Sequence, residues 1–138
     1  MPAPVLAASD LALRLRAGEA AIIPTDTLPG LAVRPDQAQT LWRLKRRPAD
    51  KPLILMGASV NDLLHDVAVP CHREVAALAE RYWPGALTLV LPARDGGAGR
   101  YLNPGGTTLG CRIPACEQTR ALLQISGPLA TTSANRSG

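Results

Sequence analysis

Apolar residues in this chain fall into short runs, each closed by Pro, Gly or a cluster of polar side chains. Ala20-Ala21-Ile22-Ile23 runs into Pro24 and then Thr25-Asp26-Thr27, the pattern of a buried strand feeding a polar loop. Residues 31–34, 52–57, 87–91, 109–113 and 129–132 read as further strands. Between them, helical spacing predicts helices over 37–46, 60–65, 73–82 and 117–124, the first with Ala38, Leu41, Trp42 and Leu44 facing inward. A short helix over 11–17 is expected after Ser9 and Asp10, which offer N-cap chemistry, and Gly18 closes it. Trp83-Pro84-Gly85 stops the helix before it, and the Gly-rich stretch 95–106 reads as a flexible loop. No internal repeat is visible.

Strands interleaved with helices predict an α/β fold, a mixed sheet with flanking helices. In such sheets ligands gather at the loops leaving the strand ends. Three polar clusters occupy those places: Thr25-Asp26-Thr27, residues 45–51 and residues 131–135.

Composition narrows this picture. A chain of 138 residues can bury one core and is read as one domain, 1–138. Aromatics make up 3% and Phe is absent, so the core must be aliphatic and stacking platforms for single-stranded nucleic acid are not expected. The net charge of +4 favours polyanionic partners such as nucleotide phosphates or RNA. Cys71, Cys111 and Cys116 form neither a CxxC pair nor an even count, which points to idle thiols of a reducing compartment rather than disulfides or zinc. No apolar run is long enough to span a membrane, and the first ten residues lack the order of a signal peptide, so a cytoplasmic protein is expected.

Arg43, Lys45, Arg46, Arg47 and Lys51 gather at a predicted helix C-terminus. Cations there complement the helix macrodipole, and the same cations can hold a polyphosphate, Arg as a fork and Lys as a point charge. Ser133 and Asn135 alternate at a strand end and can point to one face, or can simply close a turn. Neither a Walker A motif nor GxGxxG is present. His65 and His72 lie in predicted surface helices without a carboxylate cluster, which argues against a metal or triad role.

Read in order, the segments around Pro24-Thr25-Asp26-Thr27, Lys45-Arg46-Arg47-Pro48, Trp83-Pro84-Gly85, Arg112-Ile113-Pro114 and Ser133-Ala134-Asn135-Arg136-Ser137-Gly138 resemble the YrdC family of threonylcarbamoyl-AMP synthases. Its KxR and SxN motifs correspond to Lys45 and Arg47, and to Ser133 and Asn135. The resemblance implies a twisted sheet with a basic concave cavity. It also implies synthesis of threonylcarbamoyl-AMP and pyrophosphate from L-threonine, bicarbonate or CO2, and ATP with Mg2+. A tRNA-threonylcarbamoyl transferase system then uses the product to modify tRNA.

By the same resemblance Lys45, Arg47, Ser133 and Asn135 are catalytic; Arg47, Lys51, Thr108 and Ser133 bind ATP; Thr27, Arg112 and Thr131 bind threonine; no residue is assigned to a metal. The chain departs from the family at Leu28-Pro29, where an aromatic is common, and at Met56. The family domain continues past SxN-x-SG, so a C-terminal part is expected to be missing from these 138 residues, and an exposed sheet edge would favour a homodimer. Two alternatives stay open: a non-catalytic module binding tRNA or double-stranded RNA, and a carbamoyl-adenylate domain of the hydrogenase-maturation type.

Overall fold

Aliphatic runs too short to stand alone pair into a mixed six-stranded sheet, in the order β1-β2-β6-β3-β5-β4. The strands are β1 (Ala21–Ile23), β2 (Gly30–Val33), β3 (Ile54–Met56), β4 (Leu89–Pro92), β5 (Thr108–Arg112) and β6 (Leu129–Ser133). The helices are α1 (Ala8–Arg16), α2 (Ala38–Lys45), α3 (Val60–Leu64), α4 (His72–Tyr82), α5 (Gly99–Leu102) and α6 (Glu117–Ser126). This is a computed structural model, and it describes residues 6–48 and 50–134.

Only β3 and β5 run parallel; every other neighbouring pair is antiparallel. Register fixes which side chains share a face. Ile54 lies level with Thr131 and Gly110, and Met56 with Leu129 and Arg112. Gly30 lies level with Ser133.

One face carries Val33, Leu55, Leu91, Leu109, Cys111 and Ala130, and it packs into one core cluster with Leu41 of α2, Leu63 of α3, Val75 of α4 and Leu102 of α5. The other face is divided. Over one part Ile23, Ala32, Met56 and Leu129 are covered by α1 and α6 through Ala12, Leu15, Leu122 and Leu123. Elsewhere on it Ser133 and Thr108 are exposed, and Val90 is 69% exposed. Helices that stop half-way across a sheet leave the remaining half available to a ligand.

Several expectations need correction. Leu44 is 60% exposed rather than inward: it lies in the last turn of α2, which ends at Lys45 before Arg46 turns left-handed at φ 49°. Residues 95–106 hold α5, with Leu102 fully buried, so part of that stretch belongs to the core. α1 begins at Ala8 with no side-chain cap, and Asp10 acts within its first turn. β3 is shorter than the run 52–57: Pro52 has no amide for a ladder, and the Leu53 amide bonds Leu102 O instead, at 2.9 Å. A 3-10 turn over Val69–Cys71 precedes α4. No helix among the described residues is long and apolar enough to cross a membrane.

Candidate active site

Pro24 ends β1, and the loop that follows folds back over the open half of the sheet. Its shape is set locally. Thr25 Oγ1 accepts from the Thr27 amide at 3.0 Å and donates to Leu28 O at 2.7 Å, a side-chain turn of the kind threonine favours. Its ends are tied to neighbours, with Thr119 of α6 donating to Pro24 O and the Ala134 amide donating to Pro29 O at 2.8 Å.

Arg112, the last residue of β5, reaches this loop with all three guanidinium nitrogens engaged. Nε donates to Gly85 O at 3.0 Å, Nη1 to Thr27 Oγ1 at 3.1 Å, and Nη2 pairs with Asp26. The same Asp26 oxygen accepts from the Ala115 amide at 3.1 Å. With the two side chains only 11% and 19% exposed, this pair is screened far less than a surface ion pair.

Loop and open sheet face together enclose a cavity of about 200 Å3, lined among others by Thr27, Ile54, Met56, Arg112, Thr131 and Ser133. That is smaller than the ~300–1,000 Å3 typical for drug-sized ligands, and it suits a single amino acid better than a nucleotide. The wall is largely aliphatic and hydroxylic. Thr131 donates to Ile54 O at 3.1 Å, which fixes its hydroxyl while leaving oxygen lone pairs available.

Four of the residues singled out from sequence therefore meet in one cavity: Thr27, Arg112, Thr131 and Ser133. The others are outside its lining. Thr108 opens β5 on the same sheet face as Gly110 and Arg112, with Asn103 Nδ2 donating to its hydroxyl at 3.3 Å. Lys45 closes α2, and Arg47 and Lys51 follow in the loop entering β3. Because β3 and β6 are antiparallel, that loop enters at the sheet end where Ser133 lies. Arg47 donates Nε to Lys51 O at 3.2 Å and Nη2 to Pro52 O at 2.8 Å, and Trp42 Nε1 also reaches Lys51 O. Asn135 lies outside the described residues.

Asp26 has a structural importance that sequence reading did not assign, since its partner is 86 positions away. Ile54 also lines the cavity without having been singled out. For Ile54 the signal was alternation with Met56 along β3, which places both on one face.

A larger cleft of about 460 Å3 lies elsewhere, lined by Arg16, Arg34, Asp66 and Tyr101. Two of its cations already serve the fold: Arg16 donates to Ile125 O at 3.2 Å, while Arg34 donates to Arg16 O and pairs with Asp36, both at 2.6 Å. The smaller cavity is the better candidate because its polar groups converge. Among the described residues no three His, Cys, Asp or Glu side chains cluster as a metal site.

The family model Sua5/YciO/YrdC, described as telomere recombination, matches residues 14–138. A threonylcarbamoyl-AMP synthase of Bacillus subtilis is 37% identical over 128 residues, which cover 90% of this chain and 37% of the relative. A protein of the same name from Pseudoalteromonas translucida is 34% identical over 131 residues, covering 90% of this chain and 68% of the relative. The crystal structure of Pyrococcus abyssi Sua5 complexed with L-threonine superposes with a TM-score of 0.86 at 36% identity, over 95% of this chain and 39% of that one. The chain thus spans well under half the length of the B. subtilis and P. abyssi proteins.

Proposed function

The chain belongs to the Sua5/YciO/YrdC family, and from that premise we propose that it forms threonylcarbamoyl-AMP and pyrophosphate from L-threonine, bicarbonate or CO2, and ATP. The observation that carries this reading is the amino-acid-sized cavity joining Thr27, Arg112, Thr131 and Ser133, on a sheet face whose Ser133 end also receives the basic loop. The P. abyssi relative bound to L-threonine supports it. An RNA-binding module is not favoured, because the relatives bear the name of an enzyme.

The chemistry follows from the substrates. Threonine's neutral amine takes up CO2, the carbamate oxygen attacks the α-phosphorus, and the bond to pyrophosphate breaks. No covalent protein intermediate is required, so the protein contributes positioning and charge stabilisation. Thr27, Arg112 and Thr131 form the amino-acid subsite. The nucleotide, too large for a cavity of about 200 Å3, is assigned to Thr108, Lys51 and Arg47 together with the cavity residue Ser133. Lys45 and Arg47 neutralise the leaving pyrophosphate, and Asn135 completes the SxN pair with Ser133. Mg2+ accompanying ATP would supply charge neutralisation at the phosphates, and no side chain is assigned to hold it.

The setting of the reaction is the cytoplasm, where a tRNA-threonylcarbamoyl transferase system consumes the product. The sheet edges β1 and β4 are the surfaces through which a homodimer would pair.

The test is pyrophosphate release by the full chain with each component left out in turn. Release should require ATP, threonine and bicarbonate together. Release indifferent to threonine would rule out the synthase reading.

A further inference from the structure

The geometry points to Asp26 as a positioning residue: it holds Arg112 and the loop 24–29 in place as one wall of the amino-acid cavity, without itself touching substrate. This rests on the reading above that the cavity takes threonine.

Thr25, Thr27 and Leu28 of that loop line the cavity. Bonds within the loop, from Thr25 to the Thr27 amide and to Leu28 O, set its shape but not its place over the sheet. At its two ends it is tied through Pro24 O and Pro29 O. At its middle the ties are Asp26 and Thr27, and both converge on Arg112.

Asp26 does two things at once. Its carboxylate is the anionic partner of an Arg112 side chain only 11% exposed, and it accepts the Ala115 amide just before α6. It thereby joins the loop to β5 and to the segment leading into α6. Charge-assisted bonds of low exposure are the stronger class, and removing one partner leaves the other charge uncompensated. Gly85 O accepts from Arg112 Nε, so the plane of the guanidinium is set by Gly85, Thr27 and Asp26 together. Asp26 is not among the residues lining the cavity, which separates it from the groups that would meet substrate.

A residue that only shapes the amino-acid wall should affect one substrate. In Asp26→Ala the KM for threonine should rise at least tenfold, about 1.4 kcal/mol, while the KM for ATP stays within about twofold and kcat falls by less. Asp26→Asn keeps an acceptor oxygen for the Ala115 amide and should lose less than Asp26→Ala. Equal rises in both KM values, or a collapse of kcat at unchanged threonine KM, would overturn the assignment.

Hydrogen exchange on the full chain gives a readout independent of activity. Amides of residues 25–28 and of Ala115 should exchange faster in Asp26→Ala than in the parent chain, while those of β3 and β6 keep their protection. Unchanged exchange in the loop would overturn the positioning role even if the enzyme is active. If the parent chain released no threonine-dependent pyrophosphate, the proposed function would fall, and the exchange experiment would still decide the role of Asp26.

Discussion

Arg47 serves the loop that enters β3, and the proposed function gives the same side chain a ligand. Two of its nitrogens hold the Lys51 and Pro52 carbonyls, which fixes the path of the chain into β3. Lysine could supply the charge but not the fork. Arg47→Ala should therefore weaken ATP binding by roughly 1.5–3 kcal/mol, the range for bonds to charged groups, and Arg47→Lys should recover only part of it. Titration calorimetry with ATP measures both, and wild-type affinity in Arg47→Ala would contradict the assignment.

Cys111 shows the opposite case, a reactive group made inert. Burial in the core, with the charge of Asp66 adding to it, pushes its thiol up from 9.0 to about 12. The unfolded chain thus releases this proton at lower pH than the folded one. Its contribution to stability is complete below about pH 9 and is lost between there and about pH 12. Urea unfolding across that window should show stability falling with pH more steeply in the parent chain than in Cys111→Ala. Equal slopes would show that the thiol titrates alike in both states.

At this scale the sequence was informative wherever a residue's role rests on its own chemistry and neighbours. Thr27, Arg112, Thr131 and Ser133 could all be singled out that way. Asp26 was marked only as part of a polar cluster, and its role could not be assigned, because nothing local reveals a carboxylate's partner that is brought to it by folding.

Among the elements, β5 passes close to the cavity wall at Gly110. A Cβ on Gly110 would lie 2.7 Å from Ile54 Cδ1, the mobile end of a residue that lines the cavity. Ile54 can yield, but only by shifting at the cavity wall. Gly110→Ala should raise the threonine KM several-fold while shifting Tm by only a few degrees, about 1 kcal/mol at this chain length. Initial rates and a thermal melt on the same preparation check this; a large loss of Tm with unchanged threonine KM would contradict it.

Strands and helices were readable where runs ended on strong breakers, as at Pro24 and Trp83-Pro84-Gly85. Reading failed where tertiary contact outweighed local pattern. α5 is short and rich in turn formers nearby, yet Leu102 and Ala98 are drawn into the core. Leu44 has helical spacing, but it falls in the last turn of α2 and stays exposed, while Ala38 and Leu41 are buried.

For the molecule as a whole, the site is a consequence of unequal coverage. α1 and α6 cover one part of a sheet face, and the 24–29 loop, latched by Arg112, converts part of the rest into a cavity. The mixed sheet and its flanking helices followed from the alternation of strand and helix patterns, and the order of the motifs carried the family resemblance. The convergence of residues as far apart as Thr27 and Arg112 depends on register, which spacing alone does not specify. The proposed function requires that the substrates be joined into one molecule rather than ATP merely being split.

That is tested most directly by supplying the full chain with ATP, threonine and carbon-13 bicarbonate and analysing the products by mass spectrometry. One adenylate should appear that contains threonine and a single labelled carbon, in amounts matching pyrophosphate. Conversion of ATP with no adenylate containing both threonine and the label would contradict the account.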